Sequence, residues 1–148
     1  MHTADIVLIN QLLAQYGHIV DAEEWGRFDE LFVDDAELDY RGVNVPEVLR
    51  GLQAITSFFQ GANHPSAHHC TNVYVYRDDD GLTRVKSKFV APYTRARHQP
   101  HRWYGGDYED VVVSTANGWR FQRRICTPRW QFASAEPGQD VPDYRRTW

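Results

Sequence analysis

Cysteine and long apolar runs are both scarce in this chain. Its 148 residues include only two cysteines, Cys70 and Cys126, which are too few and too far apart for a disulfide framework or a zinc-ligand pattern. No apolar stretch reaches the length of a membrane-spanning helix, and residues 1–10 lack the basic start and apolar core of a signal peptide. We therefore expect a cytoplasmic protein of a reducing compartment that has no membrane partner.

Positive charge is also in short supply. The chain has 16 Lys and Arg residues against 20 Asp and Glu residues, a net charge of −4, and its basic residues form no cluster. Because nucleic acids are bound through a basic patch or stripe, we expect no nucleic-acid partner. No repeat, low-complexity segment or linker divides the sequence, so one domain with a sizeable core is expected.

Aromatic residues, in contrast, are abundant, at 14% of the chain with five Trp and eight Tyr. Tyrosine and tryptophan combine an apolar ring with a hydrogen-bonding group, which suits a cavity that is apolar but needs donors. This favours a small-molecule ligand. An aromatic core together with an oligomer interface would also account for these residues.

The hydrophobic periodicity changes from helical to extended after Pro65. Before it, the spacing predicts helices over 4–20, 23–32 and 52–60, with a break at Asp34-Asp35 and a short strand over 36–41. After it, two hairpins are predicted around Asp78-Asp79-Asp80-Gly81 and Asn117-Gly118, with strands over 66–77, 82–97, 103–115 and 119–130. Helices followed by long antiparallel strands predict an α+β class, as a cone-shaped α+β barrel whose N-terminal helices pack on a strongly curved, mainly antiparallel sheet.

The sequence predicts a domain over 1–130 and a C-terminal tail over 131–148. The tail has two prolines, a glycine and no periodicity. It is either a lid across the mouth of a cavity or a frayed terminus.

Two neighbouring histidines at the start of a predicted strand are candidates for chemistry. Alternation along the strand would place His68, Cys70 and Asn72 on one face and His69 on the other. Asp21 lies near the C-terminal end of the first helix, where the helix dipole disfavours an anion, so a functional role would explain its position. An imidazole and a carboxylate brought together in an apolar cavity form a general base, although a lone strand histidine is often only structural.

Several motifs share their order and spacing with a known family. Asp21 is followed by Trp25 and by Leu38-Asp39-Tyr40-Arg41, then by His68, by Gly118-Trp119-Arg120-Phe121 and by Arg129-Trp130. Over residues 5–130 the chain resembles the SnoaL-like branch of the nuclear transport factor 2-like superfamily, and within it the scytalone dehydratases. The resemblance implies catalytic roles for Asp21 and His68.

The resemblance also implies further site residues. Tyr93 falls where the scytalone dehydratases have a second histidine, and Tyr16 precedes Asp21 by five residues, as a tyrosine does in the bile-acid dehydratases. Asp107 or Glu109 lies near the position of a substrate-holding asparagine. The predicted catalytic residues are Asp21, His68, Tyr16 and Tyr40, and the predicted substrate-binding residues are Tyr93, Asn72 and Asp107. A purely structural role is the alternative for Tyr40, Tyr93 and Asn72.

The expected activity is that of a cofactor-independent lyase (a dehydratase) or isomerase acting on a small cyclic or polycyclic carbonyl compound. His68 would remove a proton, Asp21 would fix its tautomer, and tyrosine hydroxyls would stabilise the enolate. No metal is expected, because adjacent strand histidines point to opposite faces. The alternative is a non-catalytic cone that binds a hydrophobic small molecule or serves as an assembly subunit, as the β-subunits of ring-hydroxylating dioxygenases do.

The outer face of the sheet predicts a homo-oligomer, either a trimer or a dimer. Helices cover only the concave face, so the convex face is expected to pack against another subunit. The residues assigned to that face are His69, Val73, Val75, Lys86, Lys88 and Val90.

Overall fold

Helices occupy the first part of the chain and long strands the second. The structure is a computed structural model that describes residues 1–43, 45–63, 65, 67–93 and 102–133. Of the tail predicted over 131–148, residues 131–133 belong to the last strand, and the rest, with its lid hypothesis, lies outside the described residues, as does the side chain of Tyr93. The helices are α1 (Thr3–Asp21), two 3-10 helices (Trp25–Glu30 and Arg41–Val43) and α2 (Leu52–Gly61). The strands are β1 (Phe32–Asp39), β2 (Leu49–Arg50), β3 (His69–Arg77), β4 (Thr83–Tyr93), β5 (Arg102–Thr115) and β6 (Gly118–Ala133).

The six strands form one mixed sheet in the order β2-β1-β6-β5-β4-β3. All neighbouring strands are antiparallel except β1 and β6, which run parallel. Strands β3, β4 and β5 lie between these two strands in the sequence. The sheet is curved and stays open between its edge strands. The predicted α+β cone is confirmed.

Helix α1 packs its apolar stripe against β3 and β6. The stripe recurs at helical spacing and is buried at Ile9, Leu12, Leu13, Tyr16, Ile19 and Val20. At its N-terminus the helix is capped by Asp5, which accepts a hydrogen bond of 2.8 Å from the backbone N–H of His2. Its last residue is Asp21, so the carboxylate stands at the C-terminal end of a helix whose apolar stripe is buried.

Strand β1 begins earlier than its sequence predicts. Asp34 and Asp35, expected as a break, lie within the strand at a point where its pairing with β6 shifts register between Phe32 and Glu37. Both aspartates are exposed there. An irregular stretch of strand tolerates polar residues that face water, which explains why the pattern resembled a turn.

A β-bulge in β3 overturns the predicted alternation. The pairing of β3 with β4 shifts between Thr71 and Tyr74, and Asn72 adopts a left-handed conformation with φ 51°. Beyond the bulge every side chain changes face. Val73 and Val75, predicted on the outer face, pack against the core instead, while Tyr74 is 63% exposed.

Candidate functional site

The side chains of Asp21 and His68 meet at the end of α1. Asp21 accepts two hydrogen bonds, one of 2.8 Å from the backbone N–H of His68 to Oδ2 and one of 2.6 Å from Nδ1 of its ring to Oδ1. The histidine side chain is 5% exposed and the aspartate side chain 25%. An ionised carboxylate can only accept a hydrogen bond. The neutral imidazole therefore carries its proton on Nδ1, which leaves Nε2 unprotonated.

Gly17, which the sequence reasoning missed, allows the helix to come this close. A Cβ at Gly17 would lie 3.0 Å from the carbonyl oxygen of His68 and 3.6 Å from its Cβ. A glycine in the middle of a helix costs stability, so its position beside Tyr16 and one turn before Asp21 was an available signal.

A cavity of about 360 Å³ opens on the inner face of the sheet. His68 forms part of its wall, with Tyr16 and Tyr40 beside it. The other residues that line it are Gly42, Val43, Phe58, Phe59, Ala62, Asn63, Pro65, Phe89, Ala91, Tyr104, Tyr108, Cys126, Pro128 and Gln131. None of these lining residues, among those that the structure describes, is a Lys, Arg, Asp or Glu.

Two tyrosine hydroxyls are paired in the wall of the cavity. The hydroxyls of Tyr16 and Tyr40 are 2.7 Å apart, and both side chains are buried. The ring of Tyr16 makes an edge contact with the imidazole of His68, with 5.9 Å between ring centroids. Burial raises the pKa of Tyr16 to about 12 and that of Tyr40 well above its usual 10.0. Both phenols are therefore neutral donors at physiological pH.

A third tyrosine, Tyr108, lines the cavity and was also missed from sequence. Its ring stacks on Phe89 at 4.6 Å and contacts the ring of Tyr16 at 6.1 Å. Burial raises the pKa of its hydroxyl well above the usual value, so it too stays protonated. Strand alternation from Tyr104 would have indicated Tyr108 once the inner face of β5 was known.

Asp107 and Asn72 do not belong to the cavity, and their assignment as substrate-binding residues is corrected. Asp107 alternates with the inward Tyr108 and forms ion pairs on the outer face, with Lys88 and with Arg129 at 2.7 Å. These cations lower the pKa of Asp107. Asn72 sits at the bulge and is exposed. The backbone of Tyr93 lies in β4, opposite Arg102, and its role remains a prediction.

No helix within the described residues is long and apolar enough to cross a membrane. The same part of the chain contains no group of three or more His, Cys, Asp or Glu side chains arranged to hold a metal ion.

Comparison with known proteins places the chain in a family. An uncharacterized protein of Mycobacterium tuberculosis is 28% identical over 133 residues, which cover 86% of this chain and 88% of that protein. Among solved structures, a candidate scytalone dehydratase from Novosphingobium aromaticivorans superposes with a TM-score of 0.76 at 20% identity, covering 93% of this chain and 96% of that one. A type 2 hexachlorocyclohexane dehydrochlorinase superposes with a TM-score of 0.75 at 14% identity, covering 95% of each chain. These two likenesses show the shared fold, whose members include dehydratases and isomerases. The model of the SnoaL-like domain matches residues 1–125, and the chain belongs to that family.

Proposed function

We propose that the protein is a cofactor-independent lyase, most simply a dehydratase, or an isomerase that acts on a small cyclic or polycyclic carbonyl compound. The observation that carries the proposal is the position of His68, which lines an aromatic cavity and is hydrogen-bonded through Nδ1 to Asp21. Loss of water and migration of a double bond next to a carbonyl share a first step, the removal of a weakly acidic C–H proton. A neutral imidazole is a suitable base for that step near neutral pH.

His68 acts as the base through Nε2. Asp21 holds the ring by Nδ1 and the backbone by its N–H, so the imidazole is oriented before a substrate arrives. When Nε2 takes the proton, the carboxylate stabilises the imidazolium that forms. The same imidazolium then donates its proton to a departing hydroxyl in a dehydration, or to a different carbon in an isomerisation.

The paired tyrosines donate a hydrogen bond to the oxygen of the enolate. Only one hydrogen lies between the oxygens of Tyr16 and Tyr40, so the second hydroxyl hydrogen is available to a molecule in the cavity. A donor fixed in a site that excludes water stabilises developing negative charge more than it does in solution. The pair is placed to receive this charge beside the base.

The lining of the cavity favours an uncharged, ring-containing substrate. The described wall has no Lys, Arg, Asp or Glu side chain, so a carboxylate or phosphate on the ligand would be desolvated without a Lys or Arg to pair with. Phenylalanine and tyrosine rings form much of the remaining surface and suit a flat ring. A volume of about 360 Å³ is near the lower end for ligand pockets, which limits the substrate to a small one.

The names of two structural neighbours agree with an elimination reaction. One is a candidate dehydratase and the other a dehydrochlorinase, so both are named for the removal of a small molecule from a substrate. At 20% and 14% identity they support the reaction class proposed here and say nothing about the substrate.

A panel of cyclic β-hydroxyketones tests the proposal. Wild-type protein is expected to convert at least one of them to the conjugated enone, followed by ultraviolet absorbance. His68→Ala should abolish turnover, and Asp21→Asn should slow it on the order of 10²–10⁴-fold by leaving the imidazole misaligned. His69→Ala is the matched control, because that side chain is exposed on the other face of the strand and should leave the rate unchanged.

Two results would count against the proposal. If His68→Ala kept near-normal turnover, the base would lie elsewhere. If wild-type protein bound these ketones in the cavity but neither converted them nor exchanged their protons, the protein would belong to the alternative class of hydrophobic ligand-binding cones.

A further inference from the structure

Arg124 is the largest fully buried side chain in the described structure. It lies on the inner face of β6, directly opposite Asp110 of β5. Its Nε and Nη2 donate hydrogen bonds of 2.8 Å and 2.9 Å to the two carboxylate oxygens of Asp110, and both side chains are 0% exposed. Burying such a pair contributes little to stability by itself, so its presence in the core asks for another reason.

Three aromatic rings surround the guanidinium. Its Cζ atom lies 4.1 Å from the ring centroid of Tyr16, 4.2 Å from that of Tyr108 and 4.0 Å from that of Phe121. Nη1 has no hydrogen-bond partner among the described residues. The cation therefore faces π surfaces on the side that Asp110 does not hold.

Two of these rings belong to tyrosines that line the cavity. Tyr16 shares its hydroxyl hydrogen bond with Tyr40, and Tyr108 presents a third phenol to the same space. Burial raises the pKa of each phenol, while the charge of Arg124 acts in the opposite direction on Tyr16, Tyr40 and Tyr108. Arg124 thus packs against the rings of Tyr16 and Tyr108 and is not itself one of the residues that line the cavity.

We propose that Arg124 is a positioning residue which, held by Asp110, polarises the rings of Tyr16 and Tyr108 and so strengthens the hydrogen bonds that the cavity hydroxyls donate to a negatively charged oxygen. The inference rests on the proposed function, because it assigns that oxygen to the enolate. Arg124 acts through the tyrosines and does not itself touch the substrate.

The physical basis is the attraction between a cation and the face of an aromatic ring. A guanidinium about 4 Å from a phenol ring draws electron density away from the oxygen, which makes its hydroxyl a better donor. Because the pair and the rings are shielded from water, this effect is larger than it would be at a surface. An anion in the cavity gains from it and an uncharged ligand of the same shape does not.

The experiment compares the binding of an anion with that of its uncharged match. The probe is 4-nitrophenol, studied in mildly alkaline buffer where it is largely the phenolate, and the match is 4-nitroanisole. The ratio of the two dissociation constants is measured by titration. Wild-type protein is expected to prefer the phenolate. A purely structural role for Arg124 would change both constants together and leave their ratio unchanged.

Two variants change the positive charge beside the tyrosine rings in opposite directions. Asp110→Leu/Arg124→Met replaces the pair by apolar side chains, an exchange that buried ion pairs often tolerate, and should lower the preference for the phenolate on the order of tenfold. Asp110→Asn keeps hydrogen-bonding oxygen for Arg124 but removes the neutralising charge, and should raise the preference. If the double variant failed to fold, Asp110→Asn would still decide the question.

The outcomes separate this inference from the proposed function. A folded double variant with the wild-type ratio, or an Asp110→Asn variant whose ratio does not rise, would overturn the role of Arg124 and leave the Asp21–His68 base intact. A wild-type protein without any preference for the phenolate would overturn the inference together with the tyrosine oxyanion site, while turnover and its loss in His68→Ala would still test the base.

Discussion

Replacing Gly17 by alanine tests how tightly α1 is fitted to the strand that carries the base. In an open helix this change stabilises a protein by about 0.5–1 kcal/mol. Here the new Cβ would lie 3.0 Å from the carbonyl oxygen of His68, closer than ordinary van der Waals contact. The backbone at His68 cannot retreat freely, because its N–H is bound to Asp21 one turn further along the same helix. Overpacking of this kind costs about 1–3 kcal/mol, so we expect a net loss of about 1 kcal/mol.

The measurement is thermal unfolding combined with NMR of the His68 ring. A loss of about 1 kcal/mol corresponds to a fall in Tm of about 2–4 °C for a domain of this size. The Nδ1 proton signal of His68 should also shift as its hydrogen bond to Asp21 is strained. Gly61→Ala is the control, since a Cβ at that last residue of α2 meets nothing within 4 Å. If Gly17→Ala were as stable as the control and left the His68 signal in place, the argued close fit would be wrong.

Three further expectations follow from the cavity and from the outer face of the sheet. Tyr40→Phe should lower kcat about 10²–10³-fold by removing a donor to the enolate while costing about 1 kcal/mol of stability, checked by kinetics and thermal unfolding; an unchanged kcat would remove the pair from the mechanism. Burial raises the pKa of Tyr16 from 10.0 to about 12, so the unfolded chain loses this proton at a lower pH than the folded protein. The free energy of unfolding should therefore be unaffected by Tyr16 below about pH 10 and should fall as the pH rises toward 12. Tyrosinate absorbance should therefore show that Tyr16 in the folded protein ionises only as the pH approaches 12, and its ionisation in the folded protein near pH 10 would contradict this. Trp103 is 42% exposed opposite the cavity face, and we expect a homo-oligomer by light scattering that Trp103→Glu dissociates; a monomeric wild-type protein would refute the assembly.

Much of the fold was predictable because its periodicities are strong. The stripe of α1 and the Asn117-Gly118 hairpin each specify an element almost by themselves, and both were placed to within a few residues. The helix predicted over 23–32 is the shorter 3-10 helix Trp25–Glu30, and the two-residue strand Leu49–Arg50 is too short to leave a periodic signal. The bulge at Asn72 depends on one residue with positive φ, so the strict alternation of side chains assumed along this strand was wrong beyond it.

The site was predictable where the sequence offered chemistry at a recognisable spacing. The predicted hydrogen bond between Asp21 and His68 is present, and Tyr16 and Tyr40 line the same cavity as His68, while the catalytic roles of all four stay predictions. Asp110 and Arg124 were missed, although the register of the Asn117-Gly118 hairpin places them opposite each other. Their burial could not be predicted, because charged residues in a strand usually face water and only the packing of three rings shows otherwise.

The central claim is that His68, held by Asp21, removes a proton from carbon next to a carbonyl group. The most direct measurement is the exchange of such protons for deuterium in cyclic ketones, followed by NMR in heavy water, because it reports the first step whether water is lost or a double bond moves. We expect exchange with wild-type protein and with His69→Ala, and exchange at the background rate with His68→Ala. Equal exchange in His68→Ala and wild-type protein would contradict the claim.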